Sequence, residues 1–562
     1  MELSILFVTA VLVLRGFFLE GYLISTGSMA PGLLGLHKRI ACPSCRQSFA
    51  FGVTFDESVA ADPEDSELSH RYATCPNCGQ ANIEIGEVPV NHGDQLLVHK
   101  GVFDLRRPKR WEAVVFRNPA SPGEAYLKRV VGLPGELLQV IDGDVFIEGE
   151  IAVKDYATQR EMRIPVHDIA HLSAADDWQP SWQTTGRWQQ QGHRWLCRGG
   201  TADDGDSSRV SPDWLHFRHW RRSGGNHFCE TPLQGADAEA DWQQCLERLN
   251  QRSVLWLTRL KLDRERQVLQ LKGVMPPQMQ QDLLAESTSE AFRSAVYRLA
   301  ALSHLSPVTD RYGYNSLVAS PEFPVRDLML EAALRWTTAP DRIVVQLPLD
   351  SDVYQLELNP AAGTAILKQD GSERPLRAAN FAVNDSTAQV GLTIEASNFD
   401  HQILVAIDGV PLFEPLPLAF SAADSLVART TDGEPRFAAN ADDAPRTAEF
   451  VTRQNRLALG VSGGNVSVEV LRVYRDVHYT PGRRTNGVNS PYRIGADAYF
   501  VQGDNSPVSS DSRNWPDPAV PHTLLIGKPF VVHLPSKPGK VTIGGFQLPI
   551  RIPDFGRIRY IH

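Results

Sequence analysis

The 562-residue sequence predicts a mainly β protein that opens with an apolar helix of nearly membrane length and carries a large β-sandwich with some helix. Three observations predict it. Short runs rich in β-branched and apolar residues recur between turn signals over most of the chain. Helical spacing of apolar residues is confined to one stretch near Pro276 to Ser303, with Leu283, Leu284, Phe292, Val296, Tyr297, Leu299 and Leu302. The chain is also too long for one core, and 42% hydrophobic with 22% charged residues is an ordinary globular composition. A formal charge of −10 argues against a nucleic-acid surface. No basic stripe offsets it, since Arg106-Arg107-Pro108-Lys109-Arg110 is a short cluster ahead of a strand, read as an exposed turn.

In chain order, the first element is the apolar run from Leu3 to Leu14, followed by Arg15 and Phe17-Phe18-Leu19. At 1.5 Å per residue, residues 3 to 19 span roughly 25 Å, slightly short of a hydrocarbon core of about 30 Å. Tilt-free spanning then needs a thin membrane or a snorkelling Arg15. The start lacks the positive region of a cleaved signal sequence, so residues 1–22 are expected to form an uncleaved anchor in contact with membrane lipid.

Next come Cys42-Pro43-Ser44-Cys45 and Cys75-Pro76-Asn77-Cys78, with 29 residues between them. Two such knuckles can present four thiolates tetrahedrally to a structural Zn²⁺, which leaves no open catalytic position. Two small disulfides are the competing reading in an oxidising compartment. A zinc ribbon over 37–87 is the expectation. Cys197, Cys229 and Cys245 share no metal spacing and are read as ordinary buried thiols, and His99, His167, His193 and His401 as structural or surface residues.

After the knuckles, Gly93 to His99 and Trp111 to Phe116 read as strands, and Asp142-Gly143-Asp144 marks a hairpin between Leu137–Ile141 and Val145–Ile147. The block from about 170 to 480 opens with Trp178, Trp182, Trp188, Trp195, Trp214 and Trp220. From Leu328 it reads as strands: Leu328–Trp336, Arg342–Leu347, Val353–Leu358, Ala365–Lys368, Val390–Ala396, His401–Ile407 and Val466–Tyr474. Turns such as Gln369-Asp370-Gly371-Ser372 punctuate them. This rhythm indicates a β-sandwich and loosely resembles a laminin-G or concanavalin-like jelly roll; its aromatics are read as core rather than a sugar platform.

Three segments carry chemistry. Thr26-Gly27-Ser28-Met29-Ala30-Pro31 offers a serine hydroxyl; Tyr126-Leu127-Lys128-Arg129-Val130-Val131-Gly132-Leu133-Pro134-Gly135-Glu136 offers a lysine; and Gly503-Asp504-Asn505-Ser506-Pro507-Val508-Ser509-Ser510-Asp511-Ser512-Arg513 lies far downstream. A lysine serves as general base for a serine only when it is neutral, which requires burial and suitable neighbours. Alone, each segment is commonplace. In this order, and with the spacing of the last box, they resemble bacterial type I signal peptidases, whose motifs cover residues 1–36, about 88–165 and about 495–535.

That resemblance implies a Ser28 nucleophile and a Lys128 general base. Thr26, where the family has serine, would share the oxyanion hole with the Ser28 N–H. Ser509 would orient the lysine amine, Asp511 and Arg513 would form a supporting ion pair, and Arg129 follows the lysine. It also implies no catalytic cofactor, preprotein signal peptides as substrates cut after small residues, and a single-pass cell-membrane location with the catalytic part extracytoplasmic. The departures are Glu136 for Asp, Ser506-Pro507-Val508 for polar and acidic residues, Pro516 for Gly, and Trp111-Glu112 for a common Gly-Asp.

The domains expected are the anchor (1–22), a peptidase core in three pieces (23–36, 88–169 and 481–562), the ribbon (37–87) and the sandwich (170–480). The ligand of the sandwich is unknown. Since Ser509 must reach Lys128, the 170–480 block is expected to leave and re-enter the core at one place, as a self-contained insert apart from the dyad. Two other functions fit parts of the sequence. One is a self-cleaving regulator, disfavoured by the apolar start and the absence of a DNA-binding module. The other is a membrane-tethered binding protein with a vestigial peptidase, against which Ser28, Lys128 and Ser509 stand intact.

Overall fold

Strands formed by the β-branched runs are grouped into four main sheets in the computed structural model, which describes residues 18–53, 71–175, 178–198, 211–224, 228–233, 235–251, 258–311, 313–315, 322–383, 390–418, 428–429, 435–436, 456–533, 535–543 and 546–561. The apolar run of residues 3–17 lies outside the described residues. Among the described residues no helix is long and apolar enough to cross a membrane. The expected anchor ended at residue 22, but Leu19–Leu23 is a strand, pairing antiparallel from Leu19 opposite His99 to Leu23 opposite Gln95. The unbroken ladder satisfies backbone groups that a helix would have bonded internally.

This pairing belongs to the sheet that positions the site. Its order is Leu19–Leu23, Gln95–Lys100, Leu525–His533, Ala113–Arg117, Ala125–Gly132, Ala498–Gln502 and Ala519–Pro521. Strands distant in sequence thus become neighbours: Lys128 lies opposite Val114, and Gln502 opposite Arg129. A small sheet formed by Leu137–Ile141, Asp144–Ile147, Glu150–Ile151 and Tyr492–Arg493 packs beside it. The expected hairpin is there, with Asp142 at φ 51° and Gly143 at φ 95°, the left-handed pair that a tight two-residue turn requires.

The largest body is a two-sheet sandwich. One sheet contains Arg194–Arg198, Asn465–Arg475, Leu328–Thr338, Val390–Ser397 and Gln402–Ile407; the facing sheet contains Asp213–Phe217, Ala458–Ser462, Arg342–Leu349, Asp352–Asn359 and Thr364–Gln369. Alternation fills the space between them: Leu328, Leu330, Ala332, Leu334 and Trp336 meet Ile343, Val345, Leu347 and Leu349 in one core. Trp182, Trp188 and Trp195 join that core, as expected for structural aromatics. Ile164–Asp168 pairs with Asn465–Arg475 and so belongs to this sheet.

The 170–480 block also contains a second unit with its own core. The strands Phe228–Pro232, Val268–Lys272 and Leu260–Asp263 are covered by the helices Ala236–Gln251, Pro277–Glu286 and Glu290–Ser303. The last two are the expected helical stretch, broken where Ser289 accepts the Phe292 N–H and caps the second.

Candidate active site

Ser28 sits on the turn that follows Leu19–Leu23, and Lys128 in the strand Ala125–Gly132. Lys128 Nζ donates to Ser28 Oγ at 2.6 Å. Both are buried, Ser28 at 4% exposure and Lys128 at 2%. In this surrounding an ammonium is poorly solvated and a hydroxyl is held within proton-transfer distance. Thr26 is half-buried two residues earlier.

The late box closes over this pair. Asn505 N–H donates to Ser28 O at 3.0 Å, and Asn505 Nδ2 to Gly27 O at 2.8 Å. Gly503 packs so tightly that a Cβ there would lie 2.4 Å from both Ser28 O and Ser509 Oγ, which explains the glycine. Ser509, expected to orient the lysine amine, is brought to the site, but its buried Oγ makes no hydrogen bond among the described residues. Asp511 and Arg513 form a fully buried two-pronged pair, with Nη2 to Oδ2 at 2.6 Å and Nε to Oδ1 at 2.9 Å. Burial alone would raise the Asp511 carboxyl; the Arg513 charge and hydrogen bonds, the nearby Lys128 and the Gly503 N–H together outweigh it and hold the group below the usual carboxylate range. Asp511 also accepts the Gly503 N–H at 3.0 Å, passing the pair's rigidity to the box. Arg129 points away from Ser28: its Nε and Nη2 both reach Asp504 at 2.7 Å, and burial, which lowers its pKa, is outweighed by Asp504, which raises it.

The expected separation between the 170–480 block and the site does not hold. The turn Gly313–Asn315, deep inside that block, packs directly behind Ser28. Asn315 Nδ2 donates to Asn505 Oδ1 at 2.5 Å and Asn505 Nδ2 returns a bond to Asn315 Oδ1 at 2.8 Å, both side chains buried. Tyr314 fills the space beside Gly27 and Gly52, where a Cβ would lie 2.2 and 2.3 Å from its ring. Sequence reasoning missed both residues because this contact bridges 190 positions and has no local pattern.

Cys42, Cys45, Cys75 and Cys78 converge, all buried, with Sγ of Cys42 and Cys78 3.7 Å apart and of Cys45 and Cys75 3.6 Å apart. Zn–S bonds of about 2.3 Å place tetrahedral sulfurs roughly 3.8 Å apart, so the set fits a zinc ion. The two knuckles are built alike: Cys42 N–H reaches Gln47 O and Cys75 N–H reaches Gln80 O, with Arg46 at φ 62° and Gly79 at φ 69°. No disulfide joins them. Asp144, Asp327 and Asp400 also bring carboxylates together, but Lys154 Nζ bonds Asp400 and Asp476 there, which makes the group an ion-pair network.

Comparison with known proteins finds a peptidase family over the part of the chain that contains Lys128. Residues 87–203 match the family model described as signal peptidase, peptidase S26. The chain is 31% identical over 90 residues to a probable signal peptidase I-2 of Synechocystis sp., covering 15% of this chain and 39% of that protein. It is 39% identical over 71 residues to signal peptidase I of Leptolyngbya laminosa, covering 11% and 34%. The match thus spans under two fifths of the length of these relatives. Among solved structures, a galectin of Caenorhabditis elegans aligns at 14% identity and a TM-score of 0.16, over 26% of this chain and 81% of that one, a likeness too low to carry an argument. The matching family and relatives support a serine peptidase, a hydrolase.

Proposed function

We propose that the chain is a membrane-tethered serine endopeptidase that removes signal peptides from exported preproteins with a Ser28/Lys128 dyad. The observation that carries this reading is the 2.6 Å contact between Lys128 Nζ and Ser28 Oγ in a buried setting, reached across one hundred positions of sequence. Neutral Lys128 takes the Ser28 hydroxyl proton as Oγ attacks the scissile carbonyl carbon. The Ser28 N–H and the Thr26 hydroxyl hold the oxyanion. Collapse expels the new amino terminus, which receives the proton from the Lys128 ammonium and leaves an acyl ester on Ser28. Lys128 then accepts a proton from water as that water attacks the ester carbonyl, and returns it to Ser28 Oγ as the acyl–oxygen bond breaks, freeing the signal peptide and restoring the Ser28 hydroxyl and the neutral Lys128 amine.

The apolar run of residues 3–17 would tether this site close to a membrane, which is where a signal peptide is presented, and the catalytic part would face the extracytoplasmic side. The four cysteines would hold a structural Zn²⁺. A binding protein with a vestigial peptidase is not favoured, because every reacting group remains. The test is incubation of the full chain in detergent with a preprotein, followed by amino-terminal sequencing of the product. Cleavage at one junction after a small residue, lost in Ser28→Ala, is the expected result; undiminished cleavage by Ser28→Ala refutes the reading.

A further inference from the structure

A cavity of about 600 Å³ opens where the second cysteine knuckle, the sandwich and the helical unit meet. Its walls include Arg221, Arg259, Lys272, Arg311 and Arg475, set against the single carboxylate Glu322. So dense a positive lining departs from a chain whose formal charge is −10.

The cations are held in different ways. Arg311 pairs with Glu322 at 2.8 Å. Arg475 donates to the Asp476 and Asp310 backbone oxygens at 2.7 and 2.6 Å, and Arg259 to those of Lys272, at 2.9 Å, and Val274. The carbonyls aim the Arg259 guanidinium without neutralising it. Lys272 Nζ rests 5.7 Å from the Phe228 ring centre, and Arg221 Nε is buried with no hydrogen-bond partner. Among the described residues Arg221, Arg259 and Lys272 enter no ion pair; Glu322 and the Cys75 and Cys78 sulfurs are the negative groups that act on Arg221.

Like charges crowded onto the walls of one cavity, where Arg221, Arg259 and Lys272 are half-buried, repel one another, and a bound anion relieves that repulsion. Guanidinium groups suit phosphate and carboxylate oxygens alike, because their N–H groups form a planar fork. The volume lies within the range of small-molecule sites, and cations on several walls suit a ligand charged at more than one point.

We propose that this cavity is a binding site for a small polyanion bearing phosphate or carboxylate groups, held by Arg221, Arg259 and Lys272. It stands apart from the peptidase reading and does not depend on it. The test is calorimetric titration of the full chain with pyrophosphate and, separately, with citrate in chloride buffer. Saturable binding at one site per chain is expected, weakened tenfold or more in Lys272→Gln and in Arg259→Gln and unchanged in Arg194→Gln, an exposed cation on the sandwich edge. Binding of pyrophosphate alone assigns phosphate chemistry, and of citrate alone carboxylate chemistry. Among the described residues the Lys272 ammonium makes only a ring contact, so its variant tests the site even if Arg259→Gln does not fold. No saturable heat with either anion, or equal affinity in Lys272→Gln, overturns the proposal.

Discussion

Ser28 and Lys128, one hundred positions apart, touch because the residues around them are shaped to let two backbones approach. Several departures from the signal-peptidase motifs have a physical answer at this scale. Trp111 stands where a glycine is common and adopts φ 68°, a left-handed conformation that glycine takes freely. Its burial, a hydrogen bond from Nε1 to Val153 O at 3.2 Å and the Lys154 ammonium 4.6 Å from its ring offset that cost. Pro507 falls in the first turn of the 3₁₀ segment Ser506–Val508, where its missing N–H is not needed. Arg513 is the most exacting neighbour. Its replacement by alanine would leave the Asp511 charge buried and alone, costing about 3–5 kcal/mol. A marked fall in the thermal midpoint of Arg513→Ala is therefore expected, and an unchanged midpoint would show that the pair does not hold the box.

Among the elements, the two cysteine knuckles were legible because they are local: spacing, proline and the left-handed residue after the second cysteine all lie within six positions. Elemental analysis of purified chain should find about one zinc per molecule, lost in Cys42→Ser; metal-free wild type would contradict the assignment. The turn Gly313–Asn315 was not legible, since nothing near it in sequence marks a contact with Asn505. Truncation in Asn315→Ala leaves the Asn505 amide short of a partner at a cost of about 1–3 kcal/mol, in the residue that holds Gly27 and Ser28. The expected outcome is a kcat lowered about tenfold or more, with KM nearly unchanged and the thermal midpoint lowered by only a few degrees. A kcat equal to wild type would mean that the contact is only packing. The helix Ala236–Gln251 went unread although Ala238, Trp242, Cys245 and Leu249 recur at helical spacing and fill its buried face. Its many polar residues hid the stripe.

For the whole molecule, the strand rhythm gave the mainly β class and placed seven of the sandwich strands to within one or two residues. It did not indicate how the bodies are joined. They meet through buried charge: Lys154 pairs with Asp400 and Asp476, and Arg326 with Asp142 at 2.8 Å. Such pairs depend on fold-level neighbours, which a linear pattern does not display. The same junction makes stability depend on pH. Burial raises the Asp310 carboxyl to about 7, despite the Phe323 N–H and the Arg475 charge, which lower it. The folded state therefore keeps a proton that the unfolded chain releases near pH 4. This group's contribution is full below that pH, is lost as pH rises to about 7 and is constant above. The thermal midpoint of wild type relative to Asp310→Asn should accordingly fall between pH 4 and 7. A constant difference across that window would contradict the buried, protonated carboxyl.

The central claim is that Ser28 and Lys128 act as one unit on the scissile bond. Its most direct test is the rate of preprotein cleavage by Ser28→Ala, Lys128→Ala and the double variant, each checked for a native thermal midpoint. Groups that act together lose their effect together, so each single variant should fall to the background rate and the double variant no further. If the two losses multiplied instead, or if Lys128→Ala retained substantial cleavage, the buried contact at 2.6 Å would not be the catalytic dyad.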